Sequence, residues 1–194
     1  MINYKNLLLK WYQPFLKKKH DKLPRHIHIL AQLEIYQINN CGVKGIILDL
    51  DNTIVSEDDR YLSPGAEDWI TQAKLAGLKF FILSNGNRHY RVRFWSNRLN
   101  IPAFNPAKKP FSSAFRKAIA YMGLRPKQVV VIGDSLHTDV LGAWLCGCSC
   151  IQVATLPHPP RWWEKLAGTW VQISYPDGEE LWEFDAPIDY ESFL

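Results

Sequence analysis

Gly45–Leu50 reads Gly-Ile-Ile-Leu-Asp-Leu, an apolar run in which polar and apolar residues do not alternate. A strand with one wet face alternates. A run of this kind is covered on both faces, as in a parallel sheet layered between helices. The feature restricts the chain to an α/β architecture, and the following sequence keeps to it.

A polar loop after Leu50 ends at Ser63-Pro64, a serine cap followed by proline, which predicts a helix through Trp69, Ile70, Ala73 and Leu75 to Gly77. Lys79–Leu83 reads as a second strand and Arg88–Leu99 as a basic helix. Pro102–Asn105 reads as a short third strand. Phe111, Phe115, Ala118, Ile119 and Met122 share one helical face, closed by Gly123. Val129–Ile132 is a fourth strand, Thr138–Leu145 a short helix and Cys150–Ala154 a fifth strand. Such alternation gives a Rossmann-like, mostly parallel sheet flanked by helices, with right-handed crossovers. Ligands of such sheets bind beyond the carboxyl ends of the strands.

With 194 residues the chain fits one domain and buries roughly 70% of its extended surface without metal or disulfide staples. We divide it into a basic extension (1–40), a core (41–155) and a Trp-rich acidic tail (156–194) expected to dock on that core. Residues 1–30 carry seven Lys/Arg and one Asp, and residues 175–194 carry seven acids and no base. No apolar run reaches the ~18–20 residues that span a bilayer, and Leu7–Leu9 is too short for a signal peptide. Cys146, Cys148 and Cys150 lack the gap and the second pair of a structural zinc site, so reduced packing thiols and a cytoplasmic location are expected.

The informative polar residues fall at the strand ends. Asp49 and Asp51 follow the first strand, Ser84 and Asn85 the second, and Asp134 and Asp139 the fourth, while Lys109 precedes Pro110 in a loop. Neighbouring carboxylates are costly unless a cation lies between them, and Mg²⁺ suits one or two such ligands plus waters and phosphate. Each piece alone is an ordinary turn or cap. Together, in this order, they supply a nucleophile, a proton donor, a metal site and charge clamps for phosphoryl transfer.

These motifs resemble those of the haloacid dehalogenase (HAD) phosphatase superfamily. Ile46-Ile-Leu-Asp49-Leu-Asp51-Asn-Thr53 is similar to hhhDxDxT, Phe81-Ile-Leu-Ser84-Asn85 to hhhSN, Lys109-Pro110 to the third motif, and Gly133-Asp134 through Asp139 to GDxxxxD. Within it the chain resembles the subfamily IIIA, YqeG-like branch, which includes phosphatidylglycerophosphate phosphatases. Gly42–Thr53, Arg91-Val92, Ala107–Pro110 and Thr138–Gly142 carry this likeness. The resemblance implies that Asp49 attacks phosphorus, Asp51 shuttles the proton and Thr53 supports the loop. It implies that Ser84, beside Asn85, holds a phosphoryl oxygen and Lys109 neutralises charge. Mg²⁺ is implied on Asp49, the Asp51 carbonyl and Asp134, with Asp139 acting through water.

Ten residues separate Thr53 from Pro64 and twenty-four separate Ser84 from Lys109, which leaves no room for a cap domain. A capless site suits phosphate carried on something large. Arg88 and Arg91 are expected to meet a second anionic group of the substrate, and Trp11, Tyr12 and Phe15 beside the lysines of residues 1–30 suit peripheral contact with an anionic membrane. A membrane glycerophospholipid is thus the expected substrate, and no stable nucleic-acid partner is expected. A phosphoprotein, nucleotide or nucleic-acid end is the alternative.

Overall fold

The computed structural model describes residues 23–160, 164 and 171–190. Among the described residues the strands are β1 (His26–Ile27), β2 (Gly45–Leu48), β3 (Tyr61–Leu62), β4 (Lys79–Leu83), β5 (Ala103–Phe104), β6 (Val129–Gly133), β7 (Ser149–Thr155), β8 (Ile173–Ser174) and β9 (Trp182–Glu183). The α-helices are α1 (Ile35–Asn40), α2 (Ala66–Leu75), α3 (His89–Leu99), α4 (Ser112–Tyr121) and α5 (Leu141–Cys146). The main sheet has the order β1-β7-β6-β2-β4-β5, parallel throughout, with β8 added to β7.

The non-alternating run that opened the sequence lies at the centre, where β2 pairs with β4 and β6. Side chains alternate between the sheet faces, and both faces are apolar. Ile46, Leu48, Phe80, Ile82, Val130 and Ile132 pack with Trp69 and Ile70 of α2 and Val92 and Trp95 of α3. Ile47, Phe81, Leu83, Val129 and Val131 pack on the opposite side with Phe115 and Ile119 of α4 and Ala143 of α5. Burying each such aliphatic side chain contributes roughly 1.5–3 kcal/mol relative to exposure. Gly142 allows the α4–α5 contact, because a Cβ there would lie 2.3 Å from Phe115 Cζ.

Several boundaries differ from the sequence reading. Helix α2 begins at Ala66, and Ser63 does not cap it. Ser63-Pro64-Gly65-Ala66 instead forms a tight turn: Ala66 N–H donates to Ser63 O at 3.1 Å and Gly65 takes φ 66°. Proline followed by a left-handed glycine is the chemistry of a type II turn. The helix expected over 138–145 is a π-helical turn, Leu136–Val140, running into α5. The third strand shrinks to the two residues of β5.

The proposed break at residue 40 falls within the core, because Leu23, Leu30, Leu33 and Ile38 are buried in the same cluster as β2. Beyond the expected fifth strand, β9 pairs with β3 antiparallel, Arg60 Nε lies 2.7 Å from Glu183 Oε1, and Tyr190 packs edge-on against Phe94 at 5.1 Å. Trp162, Trp163, Trp170 and the basic residues 1–22 lie outside the described residues. All four cysteines are free thiols, and burial pushes the Cys150 thiol well up. No helix among the described residues is long and apolar enough to cross a membrane.

Candidate active site

Parallel strands deliver their carboxyl ends to one edge, and the polar residues collect there. Asp49 directly follows β2; its N–H donates to Ile132 O at 2.9 Å, so the ladder extends to the functional residue. Asp49 Oδ1 accepts from Leu50 N–H at 2.8 Å and lies 2.6 Å from Lys109 Nζ. The same ammonium donates to Asp139 Oδ1 at 2.7 Å. Asp139 reaches this position from the π-helical turn only because residue 133 is glycine: a Cβ there would lie 2.4 Å from Asp139 Cγ.

Asp49, Asp134 and Asp139 are buried, and each presents an oxygen within 4.8 Å of the other two. Three hard carboxylates against one ammonium leave excess negative charge, a donor set that fits Mg²⁺. The carboxylates of Asp49, Asp134 and Asp139 form this cluster, and the Asp51 carboxylate stands outside it. Burial pushes the Asp49 carboxyl well up, the Lys109 ammonium pulls it back, and Asp139, Asp134 and Asp51 add to the rise. Burial works against the charge on Lys109, but Asp139 and Asp49 outweigh it and hold its pKa above the ordinary lysine value.

Ser84 and Asn85 both bind protein groups of the site. Ser84 Oγ accepts from Gly86 N–H at 3.0 Å and donates to Asp51 Oδ2 at 2.7 Å, so its hydroxyl holds Asp51. Asn85 grips the backbone of Lys109 at two points, accepting from its N–H at 2.8 Å and donating to its carbonyl at 3.0 Å. Thr53 Oγ1 is buried and makes no hydrogen bond. The neighbouring Asn52 supports the loop, with N–H to Val55 O at 2.8 Å and Oδ1 accepting from Glu57 N–H at 2.8 Å.

The two arginines are the main departure. Arg91 is 1% exposed, and its guanidinium bonds Asp51, Asp59 and the Ser56 carbonyl. Arg88 pairs with Asp59 Oδ2 at 2.7 Å and with the Glu57 carbonyl. Against the expectation that Arg91 meets a second substrate anion stand the two carboxylates, Asp59 and Asp51, that hold its guanidinium here. Burial opposes its charge, yet Asp51 and Asp59 raise its pKa.

Other residues were not singled out from sequence. Asp134 Oδ2 accepts from Thr155 Oγ1 at 2.8 Å and Gln172 Nε2 at 3.0 Å, and Gln152 Nε2 donates to Asp134 O at 2.8 Å. Gln152 carried a signal, being polar inside an apolar strand; Gln172 and Asp59 carried none. The groups surround a cavity of about 400 Å³ lined by Asp49, Asp51, Asn85, Lys109, Asp134, Arg88 and His137, among others. Among the described residues no inserted domain covers it.

Comparison with known proteins places this geometry. A family model for haloacid dehalogenase-like hydrolases matches residues 49–147, from the first aspartate to the end of α5. The chain is 46% identical over 136 residues to the probable phosphatase YqeG of Bacillus subtilis, covering 70% of this chain and 73% of that one. It is 28% identical over 141 residues to the glyceraldehyde 3-phosphate phosphatase of Pyrococcus furiosus and over 120 residues to the phosphoserine phosphatase of Thermus thermophilus. It spans only 56% and 46% of the lengths of these two. Motifs, sheet edge and relatives agree: the chain belongs to the haloacid dehalogenase-like hydrolase family and, within it, to the YqeG-like phosphatases.

Proposed function

We propose that this phosphatase works through an aspartyl phosphate on Asp49, needs Mg²⁺, and removes the terminal phosphate of phosphatidylglycerophosphate. The observation that carries the chemistry is the buried Asp49 carboxylate 2.6 Å from Lys109 Nζ, both lining the cavity.

Asp49 attacks phosphorus, and the bond to the leaving oxygen breaks. Asp51 gives that oxygen a proton as it departs. Water then adds to phosphorus, Asp51 takes its proton, the bond to Asp49 breaks, and inorganic phosphate leaves. Lys109 offsets the charge of Asp49 and of the transferring group. Asp49, Asp134 and Asp139 would hold Mg²⁺, which when bound neutralises the carboxylates and the phosphoryl oxygens.

Three features support the lipid as substrate. No domain covers the cavity among the described residues, the sequence is basic and aromatic in residues 1–22, and stretches such as Gly42–Thr53 and Thr138–Gly142 resemble a branch that includes phosphatidylglycerophosphate phosphatases. Arg88, which lines the cavity with a side chain 39% exposed, is the cation we assign to the diester phosphate. The test is phosphate release from the lipid in mixed micelles beside a soluble aryl phosphate. Parent protein should hydrolyse both, and Asp49→Asn neither. Release by Asp49→Asn would overturn the mechanism. Hydrolysis of the aryl ester but not the lipid would redirect the substrate to a phosphoprotein or a nucleotide end.

A further inference from the structure

Arg91 is among the largest fully buried side chains of the protein. A buried guanidinium is tolerated only when its donors and its charge are met. Here Nη1 reaches Asp51 Oδ1, Nε reaches Asp59 Oδ1, and Nη2 donates to Ser56 O at 2.8 Å. Asp59 lies in the loop before β3, in the left-handed region at φ 61°, with its N–H donating to Ser56 O at 2.9 Å. Its other oxygen takes Arg88 at 2.7 Å. Arg91 is thus met by two carboxylates and a carbonyl, while Arg88, also on Asp59, keeps a half-exposed side chain at the cavity.

The consequence falls on Asp51. Arg91 holds one carboxylate oxygen and Ser84 the other, so helix α3 and the end of β4 together fix its rotation. Asp59, from a third segment, fixes Arg91. We propose that Arg91, anchored by Asp59, is a positioning residue for Asp51, aiming its carboxyl at the leaving oxygen and at the attacking water, and not a cation that binds substrate. This rests on the reading of Asp51 as the proton carrier.

A leaving group that needs no proton separates the roles. From p-nitrophenyl phosphate, Asp49 displaces nitrophenolate, which departs with the bonding electron pair unprotonated; hydrolysis of the aspartyl phosphate still requires Asp51 to take a proton from water. Rapid mixing with Asp59→Asn and Arg91→Lys, each checked for folding by thermal unfolding, should show the first equivalent of nitrophenolate released near the parent rate. Turnover after it should fall about 10- to 100-fold, and KM should fall with it, because the phosphoenzyme accumulates when only its hydrolysis slows. If Arg91→Lys does not fold, Asp59→Asn carries the test, since it keeps size and removes only charge. First release and turnover falling together, neither falling, or a rise in KM alone would overturn the proposal. Nitrophenolate release by Asp49→Asn would instead overturn the reading beneath it.

Discussion

Gln172 Nε2 donates a 3.0 Å hydrogen bond to Asp134 Oδ2 across 38 residues of sequence. With Thr155 on the same oxygen at 2.8 Å, it ties the segment after β7 to the acidic cluster. Outer partners of this kind orient a ligand without touching the ion. Gln172→Ala should therefore raise the Mg²⁺ concentration for half-maximal activity by roughly 10- to 100-fold, while saturating Mg²⁺ restores most turnover. A Mg²⁺ titration of phosphate release checks this.

Lys109→Met should abolish turnover and also weaken the fold. It leaves Asp49 and Asp139 buried without their ammonium, a change that typically costs about 3–5 kcal/mol. The sign with pH follows from the raised folded-state value of Lys109. The stability its charge supplies is fully present below the unfolded lysine value and is lost as pH climbs through the higher folded one. The gap between parent and variant in urea unfolding should accordingly hold through neutral pH and narrow only in strong alkali.

Chelation should stop activity and Mg²⁺ restore it. Ca²⁺ should bind yet restore little, because its longer and looser coordination displaces the carboxylates from their working positions. Mg²⁺ should also raise the thermal midpoint, since an ion at 100 times its Kd adds about 2.7 kcal/mol to the native state. Asp134→Ala should remove most of that rise, as read by differential scanning fluorimetry with and without EDTA.

The basic head can be tested only up to residue 22. Leu23 and Leu30 are core residues and His26–Ile27 is a sheet strand, so deletion through residue 30 would damage the domain itself. Deleting residues 1–22 should lower phosphate release from anionic vesicles severalfold, yet leave hydrolysis of a soluble aryl phosphate near the parent rate. Equal losses in paired assays would remove the membrane role of the head.

The strand ends were legible because of what a parallel sheet does to sequence. Strands buried on both faces leave long apolar runs, and each run stops where the chain leaves the sheet. Asp49, Ser84 and Asp134 could be assigned to one edge from those stops alone, and Lys109 from its motif. The two-residue strands β1, β3, β8 and β9 were not legible, because two residues carry no period. Ser63-Pro64 suits a helix cap and a type II turn alike, and Gly65 decides for the turn.

By itself the sequence determined the fold class, the edge at which chemistry occurs and the residues that meet there. Tertiary structure alone decided which of them touch. Ser84 and Arg91 hold Asp51, Asn85 holds Lys109, and Gln172 and Thr155 hold Asp134. The physical reason is that a buried charge takes whichever partner the packing brings within about 3 Å, and that partner can lie anywhere along the chain. Arg91 could be a solvated helix residue or a substrate clamp in sequence; burial against Asp51 and Asp59 excludes the first.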